Sequence, residues 1–261
     1  MRFIVKQATK QRHFGDPGNR RVIRSRMVML GLGFAWLCGL PFAANAQTTR
    51  PARFIGDRPL YQPLHARMPP GQAAYMKNFG ERPQCPYYQA FQVKLPSEGQ
   101  VTVYHSGVQT IPLNGTTQAG LLVGHVYRLQ IKDMPELAGM ELYPTIEVLD
   151  RLHPPPGRET AYPVPVEFSL DELEAAAAGG LVTKVVYLEQ PDLASPKAQT
   201  DRIPTATLHS RANVLAEADR VGRPLAIVRL GSRLPVNPAA DSDFYGTGAP
   251  AIPMRGAKNP Q

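Results

Sequence analysis

Cysteine is nearly absent from this 261-residue chain: only Cys38 and Cys85 occur. Once residues 1–46 are removed, as argued below, Cys85 stands alone and no disulfide closes within one molecule. An unpaired thiol outside the cytoplasm is either buried as a small apolar residue or joined to another molecule, and the nearby Tyr87, Tyr88 and Phe91 favour burial. Phosphate-binding glycine patterns are missing as well. Neither Gly-x-x-x-x-Gly-Lys nor a strand-borne Gly-x-Gly-x-x-Gly occurs, so no nucleotide and no cofactor of that kind is expected. The lack of a Gly-x-Ser-x-Gly elbow leaves the common α/β-hydrolase route unsupported.

Proline, by contrast, is plentiful. Its 27 residues are roughly twice the average frequency and cluster between apolar runs, a pattern that favours short strands with irregular connections. The N-terminus carries Arg20, Arg21, Arg24 and Arg26 ahead of an apolar run from Met27 to Ala43, then Ala44-Asn45-Ala46. Charge, apolar core and small residues at −3 and −1 follow the order of a secretory signal cleaved before Gln47. An uncleaved membrane anchor is the alternative, against which Pro41 and the short run argue. A lipid anchor on Cys38 would need a small residue where Leu37 stands. Residues 1–19 are polar and overlong for a leader, which places a natural start nearer Val22 or Met27.

The formal charge of +8 invites a nucleic-acid reading. The leader removes eight basic residues and one acid, so 21 basic and 20 acidic residues remain, a net charge of +1. With no basic stripe on the mature chain, nucleic acid is not an expected partner. Export instead implies the periplasm or the extracellular side of the envelope.

Four regions are expected: a leader over 1–46, an extended Pro/Gly-rich arm over 47–86, a β-rich domain over 87–233 and a disordered tail over 234–261. Within the domain, Phe91, Val93 and Leu95 alternate with polar residues, and Val101 and Val103 repeat this after Pro96-Ser97-Glu98-Gly99. A single strand is predicted over 121–131, with His125 on its apolar face between Val123 and Tyr127. Another is predicted over 142–149, where Pro144 suggests an edge or a bulge, and another begins at Val164. Ser169 and Glu172 form a capping-box pattern for a short helix ended by Gly179-Gly180, and 181–188 reads as a central strand. A helix over 212–221 and a strand over 225–230 follow. The order fits a mainly β (α+β) fold, a β-sandwich-like domain with one or two short helices.

Candidate chemistry is thin. His65, His105, His125, His153 and His209 show no metal-ligand spacing, and no metal site is encoded. Tyr104-His105-Ser106-Gly107 reads as a turn, because neighbours along a strand point to opposite faces. Asp171, Glu172 and Glu174 are explained by the dipole of their helix. Aromatics at Tyr61, Tyr75, Phe79, Tyr87, Tyr88 and Phe91 either give the arm a sticky surface or pack it on its own domain.

The segments Gly120–Leu129, Leu142–Leu152, Val182–Glu189 and Gly222–Gly231 resemble an uncharacterised family of exported bacterial envelope proteins. The resemblance covers about residues 85–235. It implies export and a shared domain, with no activity, cofactor or catalytic residue attached. The expected function is a non-enzymatic envelope module that binds or spaces an envelope protein or a wall polymer, touching a membrane only if the leader is retained. The alternative is an extracytoplasmic hydrolase that joins His125 or His105 to Asp133 or Asp150.

Overall fold

A computed structural model of the chain describes residues 2–10, 64–78, 86–106, 108–113, 117–193, 203–237, 241–246 and 249–256. The apolar run of the leader, the cleavage site before Gln47, Cys85, Tyr61 and Phe79 lie outside these residues. No helix among the described residues is long and apolar enough to cross a membrane.

The fold is mainly β, with two sheets packed face to face. The larger holds β1 (Arg2–Lys10), β3 (Gln100–His105), β4 (Gln109–Pro112), β6 (Val126–Lys132), β7 (Thr145–Val148), β9 (Gly180–Glu189), β10 (Thr205–Leu208) and β11 (Gly222–Leu230), in the order β10-β1-β9-β11-β7-β6-β3-β4. The smaller holds β2 (Tyr88–Lys94), β5 (Thr117–Leu122), β8 (Val164–Glu167) and β12 (Ala251–Arg255), in the order β12-β5-β2-β8. Pairing is antiparallel except for β1 with β10 and β2 with β8. Between the sheets lie Phe91, Leu121, Leu129, Ile146, Val164 and Val186, all buried, as alternation on half-buried strands requires.

Among the described residues four α-helices join the strands: α1 (Gln72–Asn78), α2 (Leu170–Ala177), α3 (Val214–Val221) and α4 (Ser242–Tyr245). The Ser169 side chain accepts from the Glu172 N–H and the Glu172 carboxylate from the Ser169 N–H, the reciprocal cap expected of that sequence. Asn213 caps α3 by accepting from Leu215 and Ala216. As expected, β9 is an interior strand, with Val182 and Val186 in the core between the sheets and Val185 and Tyr187 in a second core beneath α1 and α3.

Several expectations are corrected. The segment 121–131 is two strands, β5 and β6, one in each sheet, joined at a corner where Gly124 adopts φ +88° and donates to the Val148 carbonyl. The alternation runs through this corner because both strands face the same core from opposite sides. His125 therefore sits at an exposed turn and not on a strand's apolar face. β7 is flanked by β11 and β6, so Pro144 marks no edge; it stands just ahead of the strand, and its carbonyl accepts from Leu129.

Residues 2–10, read as part of the leader, form β1. Within the arm, 72–78 is helical, and Ala73 and Ala74 are buried because the sheet offers that helix a partnered carboxylate and a second core. Within the stretch expected to be a disordered tail, 242–245 and 251–255 are ordered, the first by burying Phe244 and Tyr245 and the second by pairing with β5.

Candidate functional site

Glu147 and Arg229 are charged residues within buried strands, and each needs a partner there. They are adjacent on the face of the larger sheet that looks away from the smaller one. The Glu147 side chain is fully buried and accepts from Arg229 Nη1 at 2.7 Å and from the Ala74 N–H at 2.8 Å. Arg229 also donates from Nε to the Ala66 carbonyl at 3.3 Å and from Nη2 to the Met68 carbonyl at 3.4 Å.

These bonds strap residues 64–78 to β7 and β11, and further ties repeat the pattern along its length. Asn213 Nδ2 donates to the Leu64 carbonyl, Arg67 Nη2 to the Ser210 carbonyl, and Lys77 Nζ to Asp150 Oδ2 at 2.9 Å. Between the strap and the sheet lies a cleft of about 500 Å³. Its walls include Met68, Pro69 and Pro70 from the strap, Leu181 and Thr183 from β9, and Val214 from α3. Arg229 lines the cleft as well, already bound to Glu147. Leu181 is 46% exposed, unusual for an interior strand.

A second charge is buried on the opposite face of β9. Lys184 Nζ donates to Glu172 Oε2 at 2.6 Å and to the Glu167 carbonyl at 2.5 Å. Burial holds the Lys184 ammonium below the ordinary lysine value, against the pull of Glu172. Glu172 thus caps α2 and pins the helix to the sheet, which goes beyond the dipole reading of that carboxylate.

An aromatic cluster covers the far end of the same outer sheet face. Tyr104 stacks on Tyr245 at 4.2 Å between ring centroids, and Phe244 meets Tyr143 edge-on at 5.2 Å. The Arg128 guanidinium lies 4.3 Å over the Phe244 ring, and its Nε donates to the Phe244 carbonyl.

The residues proposed for hydrolysis are not brought together. No hydrogen bond or ion pair joins His105 or His125 to Asp133 or Asp150 among the described residues. Asp150 accepts from Lys77 and the Arg151 N–H, with Arg223 3.8 Å away, and Asp133 is exposed with φ +56°. Partial desolvation lowers the His125 pKa from the usual histidine value, although the residue as a whole is exposed. His105 ends β3, its Nδ1 buried without a partner among the described residues, and Ser106 turns the chain with φ +44°. His65 and His209 each accept a backbone N–H two residues on, and His153 is exposed. No group of three or more potential metal ligands occurs among the described residues.

Of the aromatics read as a sticky arm, Tyr75 is exposed, Phe91 is in the core, and Tyr87 lies under the Arg151 guanidinium at 4.7 Å. Glu147, Lys184 and Arg229 are the residues that sequence reasoning passed over. The available signal was a single charge inside each of Ile146-Glu147-Val148, Thr183-Lys184-Val185 and Val228-Arg229-Leu230. No family model, curated protein or solved structure matches the chain.

Proposed function

We propose that this is an exported protein of the bacterial cell envelope that acts by binding another envelope component, with the cleft beneath the strap as its binding surface. The observation that carries the reading is the chemistry of that cleft. Its walls are largely apolar, they include the exposed Leu181 of β9, and both of its arginines are already engaged, Arg229 with the buried Glu147 carboxylate and Arg67 with the Ser210 carbonyl. Such a surface favours an apolar or extended ligand held by shape, with few polar groups to fix its orientation. The leader pattern supports the location, and a resemblance to exported envelope proteins agrees with it.

The test is to fractionate cells producing the native protein and read the N-terminus and mass in each fraction. The expected product starts at Gln47 and stays with the wall or membrane fraction through salt washing. Leu181→Glu protein, folded by circular dichroism, is expected in the soluble fraction. A wild-type protein that is freely soluble overturns the binding role.

A further inference from the structure

On the side of β9 away from β11, the strand that pairs with Leu181 and Thr183 is β1, from the stretch that the export reading removes. β1 runs antiparallel to β9, with Phe3 opposite Val186, Lys6 opposite Thr183 and Thr9 opposite Leu181. On its other side it runs parallel to β10, with Phe3 opposite Thr205 and Lys6 opposite Leu208. Main-chain groups of both neighbours are thus satisfied by one extended segment. β10 has no sheet partner besides β1 among the described strands. Cleavage before Gln47 releases β1 and leaves the β9 edge and the β10 edge facing an empty strand position. An open edge of this kind is a template for another strand.

From this geometry we propose that, in the processed protein, the position between β9 and β10 takes an extended segment of an exported partner protein, antiparallel to β9 and parallel to β10. The inference rests on the reading of export with cleavage before Gln47. The fold constrains the chemistry of the segment. α3 and α2 both lie against β1, and a strand covered on both faces needs a continuous apolar run instead of an alternating one. The strand that fills the position in this structure has such a run, Phe3-Ile4-Val5, between Arg2 and Lys6. The partner segment is accordingly a short run of β-branched or aromatic residues flanked by polar ones, free of proline. A second copy of the processed chain lacks residues 2–10, and its other described strands already hold places in the two sheets, which favours a different protein as the partner.

The test uses processed protein purified from the envelope fraction, its N-terminus read first, and a fluorescent peptide of residues 1–11 as the probe. Saturable binding to protein that starts at Gln47 is expected, with no binding to unprocessed full-length chain, whose position is filled. A Val5→Pro peptide loses a donor inside the ladder and is expected to bind at least about tenfold more weakly. A Lys6→Cys peptide is expected to form a disulfide with Thr183→Cys protein, which fixes the register. Protein that starts at Gln47 and ignores the peptide, whether because β10 closes onto β9 or because copies associate, overturns the strand inference and leaves the export reading standing. Protein that retains residues 2–10 overturns both.

Discussion

Removing the Glu147 carboxylate leaves the Arg229 guanidinium, whose side chain is only 10% exposed, without its anion and the Ala74 N–H without its acceptor. Breaking one side of a buried pair in this way costs about 3–5 kcal/mol, because the remaining charge stays desolvated. Glu147→Ala should lower the urea midpoint accordingly and speed amide exchange along 72–78. The double variant Glu147→Met with Arg229→Met should recover most of the loss, since apolar groups of similar size carry no desolvation penalty. A single variant as stable as wild type would show that the strap is held by its apolar contacts alone. The two charges were visible in the sequence as interruptions of apolar runs; their pairing was not, because 82 residues separate them.

At the scale of elements, the segment carrying α4 and β12 is fastened by a small number of aromatic contacts. Phe244 is 2% exposed and touches Tyr143, Tyr245 and the Arg128 guanidinium. Phe244→Ala should cost about 3–5 kcal/mol if the site does not collapse. Its first consequence should be local: release of α4 and then β12, read as new tryptic cleavage at Arg233 while the far-ultraviolet spectrum is kept. Unchanged resistance to trypsin would place the hold on the tail in the β12–β5 ladder instead. The sequence reading passed over these elements for a physical reason. Both are short, rich in proline and glycine around them, and get their order from residues over a hundred positions away, as in the bond from Arg128 to the Phe244 carbonyl. Elements whose order is local, such as α2 with its capping box and β9 with apolar residues on both faces, were legible. The corner at Gly124 was hidden because alternation looks the same whether a strand continues or crosses to the facing sheet.

Across the whole molecule, buried phenols set an upper pH limit. Burial, assisted by Tyr245 and Glu141, pushes Tyr104 up to about 12. Burial also pushes Tyr127 to about 12, partly offset by the Leu122 N–H that donates to its oxygen. Tyrosines in the unfolded chain ionise near about 10, so above that pH the unfolded state holds fewer protons than the native one. This part of the stability is complete below about pH 10 and is lost as the pH rises to about 12. Urea midpoints should fall across that window in step with tyrosinate absorbance. A midpoint constant to about pH 12 would mean that these phenols ionise without strain in the folded state. The two-sheet architecture was legible as a class, from alternation and proline spacing. The assignment of strands to sheets was not, because β2 and β3 follow one another across a short connection with the same alternation yet lie in different sheets.

The ladder between β12 and β5 has a consequence for the order in which the molecule is completed. A chain made, or threaded through a channel, from its N-terminus has β5 in hand long before residue 251 arrives, and one margin of the smaller sheet stays bare until then. Until then the main-chain groups along that side of β5 stay unpaired, so a chain cut short before residue 251 should be the more prone to edge-to-edge association.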